Sequence, residues 1–179
     1  DQTDARKLYV FRAAQPLRYL ALLISRFVRV DAVTIAFDRT DAATADGALP
    51  PLKGTVSQSL SITVEANPRQ AQRGREMADR AIDIAQFYVS LVGDAPYPSF
   101  TIALVESDLP GGHSPGYFAA LNQPLPTTPF VWRNDPVAFQ NFPEFFLAHE
   151  LAHQWWGQAV GWRNYHEQWL SEGFAQYFA

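Results

Sequence analysis

His149 and His153 stand four positions apart with Glu150 beside the first of them, and Glu172 follows His153 with eighteen residues between, inside Ser171-Glu-Gly-Phe-Ala175. Imidazoles and carboxylates are ligands for a divalent ion such as zinc, and on a helix two residues four apart lie one turn apart on the same face. His149 and His153 can therefore share one ion. Glu150 lies further round the helix, away from that point, but can reach a water beside the ion and take its proton. Catalytic zinc usually takes three protein ligands and keeps a fourth position open. Glu172 is the best third ligand, because the intervening residues suffice to end one helix, turn over 161–165, and begin a second that runs back past the first. His166 and Glu167 compete for the role but sit nearer the turn, where side chains face solvent. The expected chemistry is hydrolysis at one Zn2+ ion held by His149, His153 and Glu172, with Glu150 as general base.

These residues need two helices to position them. The first is expected from about Phe142 to about Trp156: Asn141 can cap the free amides, Pro143 suits the first turn, and Glu144 completes a capping-box spacing. Gly157 and Gly161 are the stop candidates. The alternative reading makes the two histidines part of the polar stripe of an ordinary amphipathic helix. They lie instead among aromatics and alanines, Phe145, Phe146, Ala148, Ala152, Trp155 and Trp156. A chance His-Glu-x-x-His in a chain this long has a probability on the order of 1%.

The stretch His149-Glu-Leu-Ala-His-Gln-Trp-Trp-Gly157, followed by Trp169-Leu-Ser-Glu-Gly-Phe-Ala175, resembles the gluzincin zinc peptidases of the membrane alanyl aminopeptidase and leukotriene hydrolase type. Their pattern is His-Glu-Leu-x-His-Gln-Trp-Phe-Gly, then a glutamate within Trp-Leu-Asn-Glu-Gly-Phe-Ala at the same spacing. The resemblance implies the same ligands and base, with a peptide as substrate. It also implies an α+β fold: a thermolysin-like catalytic domain with a mixed β-sheet lobe and active-site helices, preceded by the strand tail of an N-terminal β domain. On that basis 1–50 would be the end of the β domain and 51–179 the first part of the catalytic domain, cut after the third ligand.

Two departures qualify the likeness. Family members carry a Gly-x-Met-Glu-Asn segment whose glutamate holds the substrate's free amino terminus. The corresponding stretch is Gly111-Gly-His-Ser-Pro115, with Ser114 in the glutamate's place and Glu106 and Asp108 as the nearest acids in sequence. Gly111, Gly112 and Ser114 are the expected substrate contacts, and His113 is either another or an exposed loop residue. The family's oxyanion-binding tyrosine and its helical C-terminal domain would lie beyond Ala179. The missing part of the same protein is expected to complete the site, since Tyr165 and Tyr177 are too close to Glu172 to match and read as packing residues. The expected function is an aminopeptidase-like zinc metallopeptidase with an altered amino-terminus recognition loop. An endopeptidase, an epoxide-opening hydrolase, or a scaffold relative without chemistry are the other readings.

Composition agrees with a globular chain. Fourteen basic against eighteen acidic residues give a net charge of −4, which argues against a nucleic-acid partner. The absence of cysteine excludes disulfides and thiolate ligands without fixing a compartment. No signal-peptide shape is visible at Asp1–Lys7, and the apolar run Tyr19–Ser25 is too short to span a membrane. Strands are expected at Leu8–Arg12, Leu17–Leu23, Phe27–Phe37, Val56–Val64 and Phe100–Val105, with a loop over Asp41–Gly54. A long helix should run from Asn67-Pro68 to about Gly93, burying Met77, Ala81, Ile84, Tyr88 and Leu91. Tyr117–Leu121 reads as a short strand, either an ordinary one or one bordering the cleft where an extended peptide could pair.

Overall fold

The computed structural model describes residues 7–13, 15–39, 56–106, 111–123 and 142–179. Among these, β1 (Val28–Arg39), β2 (Val56–Ala66), β3 (Ser99–Glu106), β4 (Gly112–His113) and β5 (Phe118–Gln123) form one mixed sheet in the order β1-β2-β3-β5-β4. β1 runs antiparallel to β2, with Val33 opposite Ile62 and Ile35 opposite Leu60. β2, β3 and β5 are parallel, and the short β4 returns antiparallel along β5. The pleat explains β2: Leu60, Ile62, Val64 and Ala66 are buried while Ser61, Thr63 and Glu65 alternate with them. In β3, Ile102, Ala103 and Leu104 are all buried, as a strand flanked on both sides in the sheet and covered on both faces requires.

Parallel neighbours need a crossover, and between β2 and β3 it is a helix. The Asn67 side chain accepts the Arg69 amide at 3.2 Å, Pro68–Gln70 form a tight turn, and α1 runs Ala71–Val92 before Gly93 turns left-handed. The buried face of α1 consists of Gly74, Ala78, Ala81, Ala85, Tyr88 and Val89. Of the expected stripe, Ala81 and Tyr88 are fully buried, Met77 and Ile84 are half-buried, and Leu91 is exposed. Small residues define the face because α1 lies close on the sheet, so longer chains are displaced to its margins.

Two expected strands do not form. Leu8–Arg12 and Leu17–Leu23 are irregular, and Leu8, Phe11, Leu20 and Leu22 are exposed. Apolar and β-branched composition does not make a strand without a partner for its backbone groups, and among the described residues none lies alongside. β1 takes up the Phe27–Phe37 expectation. The expected Asp41–Gly54 loop lies outside the described residues. The strand expected at Tyr117–Leu121 is β5, which is interior; the edge beside the cleft is β4, so it is β4 that has a side open for pairing among the described residues.

α2 (Phe142–Ala152) packs against α1, and α3 (Glu172–Phe178) packs against α2. A single residue ties the three together. Tyr88, fully buried, shares its hydroxyl proton between the carbonyls of Ala148 at 3.1 Å and Phe178 at 3.3 Å, and its ring lies against Trp155 and Trp156. Burial raises its pKa, so it remains a donor across the working pH range. Tyr88→Phe should lower unfolding free energy by about 1 kcal/mol, and Tyr88→Ala by about 3–5 kcal/mol through the cavity it opens. Urea denaturation of the two variants checks this; equal effects would mean that the ring's packing is not what holds the helices. Among the described residues no helix is long and apolar enough to cross a membrane.

Candidate metal centre

α2 delivers His149, Glu150 and His153 at its end, but it stops at Ala152, a turn earlier than the sequence suggests. The chain keeps coiling with altered bonds: Gln154 and Trp155 bond back three residues, while Gln158, Ala159 and Val160 bond back five. Gly157 causes the change. Its φ of 123° is costly for other residues, and a Cβ there would sit 3.1 Å from Ser171 and 3.4 Å from the His153 ring. The chain can therefore pass between the first helix and the turn that carries Glu172. The capping role expected of Asn141 lies outside the described residues.

The structure brings His149, His153 and Glu172 to one point. The two Nε2 atoms are 3.1 Å apart, and Glu172 Oε2 lies 3.5 Å from His149 Nε2 and 3.6 Å from His153 Nε2. A tetrahedral zinc with bonds of about 2.0–2.1 Å has ligand-to-ligand edges of about 3.3 Å, so the donor set fits that ion. His153 Nδ1 lies 3.1 Å from the Trp156 carbonyl and donates to it, which leaves the Nε2 lone pair for a metal. His149 Nδ1 is buried and has no partner among the described residues. Hydrogen bonding to His149 holds Glu172 below the usual carboxylate range, against partial burial, and the charges of His153 and His149 act in the same direction. His166 is exposed, and Glu167 accepts the backbone amide of Arg163 at 2.9 Å instead of joining the cluster.

Glu150 is buried, and its Oε2 accepts the Ser114 hydroxyl. Ser114, expected as a substrate contact, is thus buried and turned to Glu150. Gly112 approaches the same carboxylate so closely that a Cβ would lie 2.9 Å from Glu150 Cγ. Gly111 sits just before β4, and Asp108 lies outside the described residues. His149, His153, Glu172 and Glu150 line one cleft of about 480 Å³.

Sequence reading missed what surrounds them. Gln154, buried, donates to the Pro115 carbonyl and accepts the Tyr117 amide, both at 3.0 Å, and Gln158 donates to the Ser114 carbonyl at 2.9 Å. Tyr117, at φ 77°, makes the turn into β5 under this clamp. A strap from Gln15 to Tyr19 crosses the rim. Arg18 donates to the carbonyls of Gly157 at 3.0 Å and Trp162 at 3.3 Å and lies over the Trp162 ring, while Tyr19 stacks on His113. His113 is therefore an exposed rim residue facing Tyr19. Tyr165 and Tyr177, expected to pack, are 74% and 80% exposed, because the short helices carrying them turn their other sides inward. The one signal that could have flagged Gln154 is its place directly after the second histidine.

With the geometry described, likeness to known proteins can be placed on it. Residues 141–179 match the model of the Peptidase family M1 domain. The chain is 31% identical to mouse (Mus musculus) Aminopeptidase O over 86 residues, which is 48% of this chain and 9% of that protein. It is 26% identical to Aminopeptidase M1-C of rice (Oryza sativa subsp. japonica) over 129 residues, 72% of this chain and 14% of the relative. Over 127 residues it is 25% identical to Endoplasmic reticulum aminopeptidase 2 of cattle (Bos taurus), covering 70% and 13%. The chain thus spans a small part of the length of the curated relatives it matches.

Proposed function

We infer that this chain, whose residues 141–179 match the Peptidase family M1 domain, binds one zinc ion through His149, His153 and Glu172 and uses it to hydrolyse peptide bonds. The observation that carries the reading is the convergence of the three donor groups, all within 4.8 Å of one another, beside a buried glutamate in the same cleft. When bound, zinc supplies Lewis-acid polarisation of a carbonyl and lowers the pKa of water to about 7. Everything else falls to the chain. Glu150 takes the proton from the attacking water and hands it to the leaving amine. The carboxylate of Glu172, on the solvent side and half exposed, completes the ligand set while leaving the cleft side open. An extended peptide would pair along the open side of β4.

The substrate is a peptide, and the mode of cleavage aminopeptidase-like, after the printed names of the relatives. Ser114, engaged with Glu150, offers no anion to a substrate amine, which supports an altered amino-terminus recognition loop. Peptides with free and acetylated amino termini should then be cleaved within about tenfold of one another, less than the loss expected when a charged hydrogen-bond partner is removed. A digest of matched peptide pairs by the full-length protein measures the ratio. An absolute requirement for the free amine would defeat the altered-loop reading, and no cleavage of either by zinc-loaded protein would defeat the peptidase. The thermolysin-like character of the domain, the division into 1–50 and 51–179, and completion of the site by a further C-terminal part belong to the same proposal. β1 would then be the strand through which the two units share one sheet.

A further inference from the structure

The tip of β4 faces Glu150 at two points. Along an extended strand alternate residues face the same way. Gly112 presents only hydrogen to the carboxylate, Ser114 donates its hydroxyl to Oε2, and His113 between them turns outward to Tyr19. The two glutamines that follow the second histidine hold this strand's exit: Gln158 takes the carbonyl of Ser114 itself, and Gln154 takes Pro115 and Tyr117. The segment that bears the base therefore also grips the loop that touches the base. A glutamate side chain has several rotatable bonds, and a proton acceptor that must stand at one place gains from an external donor that fixes it.

We propose that Ser114 is a positioning residue for the base, its hydroxyl and the missing side chain of Gly112 together forming a seat that holds the Glu150 carboxylate in one orientation beside the metal ligands. This rests on the reading of Glu150 as general base. It assigns the serine a task different from substrate recognition: the hydroxyl is donated to the enzyme's own carboxylate. An ionised carboxylate can only accept, and a hydroxyl donor matches it. Gly112 contributes by absence, since any Cβ there would force Glu150 to move.

The test uses the full-length, zinc-loaded protein with Ser114→Ala, Ser114→Thr and Gly112→Ala, each alone and combined with Glu150→Ala, and with Glu150→Gln by itself. Turnover of a peptide, zinc content, and the Kd for a peptide hydroxamate are measured. Ser114→Ala should lower kcat about tenfold with KM changed less than about twofold and zinc content intact, the loss of one hydrogen bond to a charged group. Ser114→Thr, which keeps the hydroxyl, should recover most of that loss, and Gly112→Ala should reproduce it. Hydroxamate binding should weaken about fivefold in Ser114→Ala but change no further when Glu150→Ala has already removed the acceptor, as expected for two residues acting as a unit. Wild-type kcat in Ser114→Ala alongside an inactive Glu150→Gln overturns the seat alone. An active Glu150→Gln overturns the base and the seat with it. An equal loss of hydroxamate binding in both backgrounds marks Ser114 as merely structural and also overturns the proposal.

Discussion

Glu150→Gln should cut peptide turnover by about a hundredfold to ten-thousandfold while the protein still carries one zinc ion. The amide has the volume of the acid and keeps a carbonyl oxygen that can accept from Ser114, so the seat stays filled and the fold is undisturbed. What disappears is the capacity to take a proton. Glu150 lies in the cleft with the three proposed ligands but is not one of the donors that converge, so metal content should be unaffected. Steady-state kinetics together with elemental zinc analysis on one preparation decides the matter. Turnover equal to that of the unaltered protein would remove Glu150 from the chemistry.

His153→Ala should empty the site. Losing a group that only supports a ligand typically costs about 10–100-fold in metal affinity, and losing a ligand itself should cost more. His153 is also the proposed ligand whose orientation is fixed most firmly, through its Nδ1 bond to Trp156 and the close pass of Gly157. Its removal leaves His149 and Glu172 3.5 Å apart, too few donors to hold zinc against a competing chelator. Competition with a chromophoric chelator measures the affinity. Stoichiometric zinc retained by the variant under such competition would break the proposed ligand set.

The parts of the site that sequence made legible are those joined by local geometry. A four-residue step on a helix puts two imidazoles together whatever the rest of the chain does, and eighteen residues leave room for Glu172 to return. α1 was readable for the same reason, from Asn67 to Gly93, although its period did not reveal that alanines rather than Leu91 would face the sheet. The strands expected near the amino end failed because pairing is a property of two segments and composition reports only one. Tyr88, Gln154, Gln158 and Arg18 escaped notice because each acts on a carbonyl or amide far along the chain, and no residue-type pattern records such a partner. The Ser114 contact was hidden by its position. Read against the family pattern, serine looked like a loss of recognition; in the fold it faces the other way.

The strap at the rim also bears on the order in which the site is assembled. Ser114 and Glu150 are separated by 36 positions, whereas Arg18 reaches a carbonyl 139 positions later. Closing the longer loop, about two doublings, costs about 1.2 kcal/mol more in chain entropy. Arg18 precedes its acceptor at Gly157 by 139 positions and that at Trp162 by 144, so these contacts form only after the intervening chain exists. Leu20, Leu22 and Ile24, beside it, stay exposed after those contacts have formed. The rim of the cleft thus closes over a longer loop than the Ser114–Glu150 contact does.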